Sequence, residues 1–116
     1  MTDTPSGTVV FLSGDLMFAS RVRGAAENAG LSFYLGGNLP EDDDKTIRYV
    51  ILDLSTRSSL TESIAQQCAQ RCPDATLLAY GPHVQVGKLT VAKESGIPVV
   101  MTRGQFDSRL STMFVT

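Results

Sequence analysis

The sequence predicts an α/β fold organised as a doubly wound, five-stranded parallel sheet. Three observations carry this expectation. Apolar runs of strand length recur along the chain, stretches with helical apolar spacing separate them, and the runs are continuous rather than alternating. Continuous runs are what strands covered by helices on both faces require.

The first run, Thr8, Val9, Val10, Phe11 and Leu12, is rich in β-branched residues and reads as a buried strand. Asp15 then stands at an N-cap position, and Phe18, Val22, Ala25, Ala26 and Ala29 keep helical spacing as far as Gly30, a C-terminal stop. A short second strand is expected over 31–35. After it come Gly36, Gly37, Asn38, Leu39 and Pro40 and the acidic run 41–44, where one or two helical turns can start at Pro40. A short, exposed or irregular second helix is therefore expected. Residues 48–53 make the clearest strand, an apolar run that ends on the carboxylate of Asp53. Ser59 with Glu62 three residues later reads as a capping box for a helix carrying Leu60, Ile64, Ala65, Cys68 and Cys72 and ending at Pro73. A fourth strand over 76–80 is broken by Gly81 and Pro82. A helix with Val86, Leu89 and Ala92 on one side runs to Gly96, and a fifth strand covers 97–101. A last helix places Phe106, Leu110, Met113 and Phe114 on one face.

The chain has 116 residues, 42% of them hydrophobic, and domains run roughly 100–150 residues, so a single domain over 8–116 is expected after a disordered start over 1–7. Cys68 and Cys72 are the two cysteines and share one helix face, where free thiols behave as small core hydrophobes. His83 is the lone histidine, so a thiol-based metal site lacks its further ligands. Ten Lys and Arg against twelve Asp and Glu leave a net charge of −2, without the basic excess that a phosphate backbone demands, and nucleic acid is not an expected partner. No apolar stretch approaches the ~20 residues of a membrane span, and the opening residues lack the basic and apolar regions of an export signal. A cytoplasmic protein with no membrane partner is expected.

Right-handed crossovers make 2-1-3-4-5, the flavodoxin-like order, the common five-strand solution. It sets the first and third strands side by side at the point where the order reverses. Ligands of such sheets bind outside the carboxyl ends of the strands there, which gathers Ser13, Gly14, Asp15, Asp53, Gly81, Pro82, His83 and Arg103 around one crevice. Gly36 and Gly37 follow a strand but form neither a dinucleotide fingerprint nor a phosphate loop, and no nucleophile elbow occurs. No enzymatic activity is expected. His83 reads as a surface-loop residue, and the acidic run as a solvated loop or a charged patch.

At this point a resemblance enters. Val50, Ile51, Leu52, Asp53 and Leu54 resemble the strand that presents the phospho-accepting aspartate in response-regulator receiver domains of the CheY-like family. Pro73 and Asp74 ahead of the fourth strand, and Met101, Thr102 and Arg103 leading to Phe106, are similar to that family's later motifs, so the resemblance covers almost the whole chain. It implies a CheY-like fold and Asp53 as phosphoacceptor. It also implies that the acidic pair holding Mg²⁺ falls on Ser13 and Gly14, neither a carboxylate. Asp15 is the acid left in that loop, and with Asp53 it forms a weak Mg²⁺ candidate; otherwise no cofactor is expected. The family's hydroxyl after the fourth strand falls on Gly81, its switch aromatic on Val100, and its lysine on Arg103, one residue further than usual from Phe106. Arg103 is then a phosphoryl-binding candidate, or an ion-pair partner of Asp53. The matching pattern is that of a degenerate receiver, a pseudo-receiver.

Three functions are compatible with these residues. The first is a stand-alone receiver-like protein of two-component phosphorelay signalling that acts by protein–protein contact. The resemblance places that contact on the helix of Val86 and Leu89, the fifth strand and the last helix with Phe106 and Leu110. The second is a working receiver phosphorylated on Asp53, with a histidine kinase, a phosphotransfer protein or an output protein as partner. The third is a small-ligand-binding flavodoxin-like domain, with Ser13, Gly14, Gly81 and His83 shaping the pocket.

Overall fold

Each apolar run becomes a strand because its residues bury two faces at once. The structure, a computed structural model, describes residues 7–41 and 46–114. In chain order the elements are β1 (Thr8–Leu12), α1 (Leu16–Asn28), β2 (Ser32–Gly36), β3 (Ile47–Asp53), a 3-10 turn (Ser58–Leu60), α2 (Ile64–Arg71), β4 (Thr76–Gly81), α3 (Val86–Glu94), β5 (Val99–Thr102) and α4 (Arg103–Met113). The sheet is parallel with order β2-β1-β3-β4-β5, the CheY-like α/β arrangement that the sequence predicts.

Alternation along the strands divides the core into two layers. Val9 and Phe11 of β1, Ile51 of β3 and Leu78 and Tyr80 of β4 face α1 and α4, where they meet Phe18, Val22, Ala26, Phe106, Leu110 and Phe114. Val10, Leu12, Val50, Leu52, Leu77 and Ala79 face the other way, against Ile64, Cys68, Cys72, Ala92 and Ile97. Aromatic rings thread the first layer. Tyr80 stacks on Phe106 with centroids 4.6 Å apart and on Phe11 at 6.2 Å, while Phe18 meets both Tyr80 and Phe106 edge-on at 5.7 Å. Cys68 and Cys72 are free thiols buried in the second layer.

Three local expectations are corrected, and a fourth lies largely outside the described residues. The helical turns expected from Pro40 onward fall on residues that include 42–45, which lie outside the described residues; over 37–41, Leu39 packs into the second layer and Arg71 donates to the carbonyl of Pro40. The Ser59–Glu62 capping box does not open a helix. Residues 58–60 make a 3-10 turn, and α2 begins only at Ile64, after an N-cap Ser63 whose side chain makes no cap hydrogen bond. The expected fifth strand starts two residues late, because Pro98 has no N–H to give the ladder and Ile97 is already committed to Ala92 O at 3.3 Å. Gly7, expected to be disordered, is placed: its carbonyl accepts from Ser32 N at 2.9 Å. Residues 1–6 and the acidic residues 42–44 lie outside the described residues.

Candidate functional site

The carboxyl ends of β1, β3 and β4 lie side by side, and Asp53 ends the central one. Its side chain is 2% exposed, so its charge has to be met by protein donors. Ser13, itself buried at the end of β1, donates its hydroxyl to Asp53 Oδ2 at 2.7 Å. Thr56 donates to the same oxygen at 2.9 Å, and the Ser55 amide donates to Oδ1 at 2.9 Å. Both hydroxyls are held in turn: Gly14 N donates to Thr56 Oγ1 at 2.8 Å, and Asp15 N to Ser13 Oγ at 2.9 Å. Five hydrogen bonds thus form one network: three end on the carboxylate, and two of the five, from Ser13 to Asp53 and from Gly14 to Thr56, tie the loop after β1 to the end of β3 and its loop.

Asp15 works separately. Its Oδ1 accepts from Phe18 N at 3.0 Å as the N-cap of α1, and its Oδ2 pairs with Arg103 Nη1 at 3.2 Å. The Phe18 amide, more than the Arg103 guanidinium, holds the Asp15 carboxyl below the usual carboxylate range against an opposing desolvation. The guanidinium also lies 4.4 Å from the centroid of Phe18, a cation–π contact. The Arg103–Asp53 ion pair, the alternative to a phosphoryl-binding role, therefore does not form: Asp53 is answered by hydroxyls and an amide, and Arg103 is held by Asp15 and Phe18 on the α1 side of the sheet.

Sequence reasoning missed three residues here. Thr56 is the first, an ordinary-looking hydroxyl three positions after Asp53. Tyr80 is the second. Its ring is buried in the aromatic stack, and among the described residues its hydroxyl finds no hydrogen-bond partner. Burial, and next the charge of Asp53, push that phenol well above its ordinary range. Arg57 is the third, its guanidinium beside Gly14 and Gly37, with Nη1 3.3 Å from Thr56 O and Nε buried without an acceptor among the described residues.

Gly81 is buried, and a Cβ there would lie 3.4 Å from Leu54 Cβ and 3.7 Å from Leu89 Cδ2. These are ordinary van der Waals distances, so a side chain could begin there, but glycine supplies no hydroxyl. His83 is exposed in the loop after β4. The expected partner face comes apart: Val86 is 63% exposed, but Leu89 packs on the second layer and Phe106 and Leu110 belong to the first. The last helix turns these two inward because Thr102 caps it directly at the end of β5, leaving no loop to rotate them out.

Magnesium wants near-octahedral oxygen ligands, and the residues present do not offer them. The oxygens of Asp15 and Asp53 are already engaged by protein donors, and no group of three or more His, Cys, Asp or Glu among the described residues is arranged to hold a metal ion. No helix among them is long and apolar enough to cross a membrane.

No protein-family model matches the chain, and no curated protein does. Solved structures do. A response regulator protein from Burkholderia pseudomallei, described with a phosphorylated aspartic acid, a calcium ion and citrate, superposes with a TM-score of 0.68 at 16% identity, over 95% of this chain and 67% of that one. A response regulator from Thermotoga maritima gives 0.66 at 13% identity over 93% and 99%. A response regulator receiver protein from Burkholderia phymatum gives 0.67 at 13% identity over 95% and 97%. The structural neighbours of this chain are response-regulator receiver domains, and at these identities the likeness is one of fold.

Proposed function

We propose that this chain is a receiver-like signalling module, not an enzyme, that acts through contacts with other proteins of a two-component pathway while Asp53 serves as a structural staple rather than a phosphoacceptor. One observation carries the reading. A carboxylate attacks a phosphoryl group through a free oxygen, with a metal to neutralise the charge, whereas Asp53 is buried and both its oxygens are engaged by Ser13, Thr56 and Ser55. The absent hydroxyl at Gly81 points the same way, since a glycine at the end of β4 has no side chain to hold a phosphoryl group. The partners of such a module are a histidine kinase, a phosphotransfer protein or an output protein, met in the cytoplasm.

A second reading keeps phosphotransfer, and one observation favours it: Asp53 still ends β3 at the switch point of the sheet, and rotation of two hydroxyls would free Oδ2. Amide NMR with Mg²⁺ and then beryllofluoride, a mimic of phosphorylated aspartate, separates the two readings. The staple predicts no saturable shifts at millimolar metal. Saturable shifts at Ser13, Asp53 and Ser55 that vanish in Asp53→Asn would overturn it in favour of a working receiver.

A further inference from the structure

The edge of the sheet formed by β2 carries an unused pairing surface. In its parallel ladder with β1, Ser32 N reaches Gly7 O and Gly36 O receives Ser13 N, so Ser32, Tyr34 and Gly36 turn their backbone groups toward β1. Phe33 and Leu35 therefore turn theirs outward. Among the described residues nothing bonds to those two N–H and two C=O groups. Edge strands are commonly protected by charges, prolines or bulges. β2, with the sequence Ser-Phe-Tyr-Leu-Gly, has none of them, and its register with β1 is regular.

We infer that this edge binds the same edge of a second copy of the chain, with two β2 strands antiparallel about a two-fold axis through Tyr34. The register follows from the geometry. An axis at Tyr34 sets Phe33 opposite Leu35 of the second copy, and these are the residues whose backbone groups face outward. Each such pair exchanges two hydrogen bonds, so two pairs satisfy all four open groups. A two-fold interface brings residues at the axis against their own images, and a strand without charges meets no like-charge repulsion there. Beside β2 a groove lined by Leu16, Ala19, Ser20, Arg23, Phe33 and Leu35 continues onto α1, with Leu16 69% exposed. Four backbone bonds with this small apolar margin fall short of a standard interface of roughly 1,200–2,000 Å². The dimer is accordingly weak and concentration-dependent.

Sedimentation equilibrium from micromolar to millimolar protein tests it, read together with the amide resonances. The expected result is reversible dimerisation, with Phe33 and Leu35 amides shifting with concentration and gaining exchange protection. Leu35→Pro removes an outward N–H that the monomer does not use and should weaken association about tenfold or more with the fold intact by circular dichroism. Tyr34→Lys, which sets two ammonium groups together at the axis, should abolish it. A monomer throughout that range overturns the proposal. So does a dimer that leaves the Phe33 and Leu35 amides unchanged or survives both substitutions.

Discussion

A buried carboxylate costs stability unless donors answer it, and at Asp53 three donors do so at once. The staple makes a prediction opposite to that of a cluster of acids. Where carboxylates crowd, removing one relieves repulsion and stabilises the fold. Here Asp53→Ala strands the hydroxyls of Ser13 and Thr56 and the Ser55 amide, and should cost about 1–3 kcal/mol in urea unfolding. A more stable variant would show that the network is strained. Asp15 gives a second test through pH. Its carboxyl is held below the ordinary value of 3.8 by the Phe18 amide and Arg103, so its ionised form favours the native state. That contribution is complete above the unfolded pKa and fades as pH falls through the folded one. Asp15→Asn keeps a capping oxygen but no charge, and should lose roughly 0.3–1 kcal/mol at neutral pH, a gap that closes in acid. Asp15, Asp53 and Ser13 were legible in the sequence as residues of one crevice. Their bonding was not. Whether Arg103 turns to Asp53 or to Asp15 depends on Phe18, whose ring offers the guanidinium a face on the α1 side of the sheet, and a linear pattern does not encode that direction.

Helices and strands were legible where the signal was periodicity and illegible where it was a single turn. The continuous runs of β1, β3 and β4 appear within a residue of their expected bounds because two-sided burial leaves little freedom. The capping motifs misled. Ser59 and Glu62 have the right spacing, but Ser59 lies in a 3-10 turn and Glu62 in the turn after it, whereas a complete box closes at Thr102 and Gln105, where Thr102 Oγ1 accepts from Gln105 N at 3.1 Å and Gln105 Oε1 from Thr102 N at 2.9 Å. Since Thr102 both ends β5 and begins α4, this box fixes the angle at which Phe106 and Leu110 enter the core. Thr102→Ala should therefore cost about 0.5–2 kcal/mol and also move the side-chain resonances of Phe106, whose ring stacks on Tyr80. A loss of stability with those resonances unmoved would reduce the box to an ordinary cap.

At the scale of the whole molecule, burial is unequal across the sheet, and stability should follow it. Every residue of β1 is buried, as are the last four of β3 and the last five of β4, while no residue of β2 is. β2 is an edge strand, and of the described residues 37–41 that follow it Leu39 joins the second layer, against which Tyr34 packs. Amides whose opening requires only local separation exchange faster than those that need global unfolding. In dilute solution, below the concentrations at which copies associate, the amides of Val10, Phe11, Val50, Ile51, Leu78 and Ala79 should exchange only through complete unfolding. Those of Tyr34 and Gly36, although bonded to β1, should exchange through a cheaper sub-global opening that peels β2 from the sheet. Hydrogen exchange across a denaturant series distinguishes the two classes, because a global opening depends steeply on denaturant and a local one hardly at all. If Tyr34 and Gly36 joined the steep class, β2 would be as firmly held as the centre of the sheet despite its partial burial.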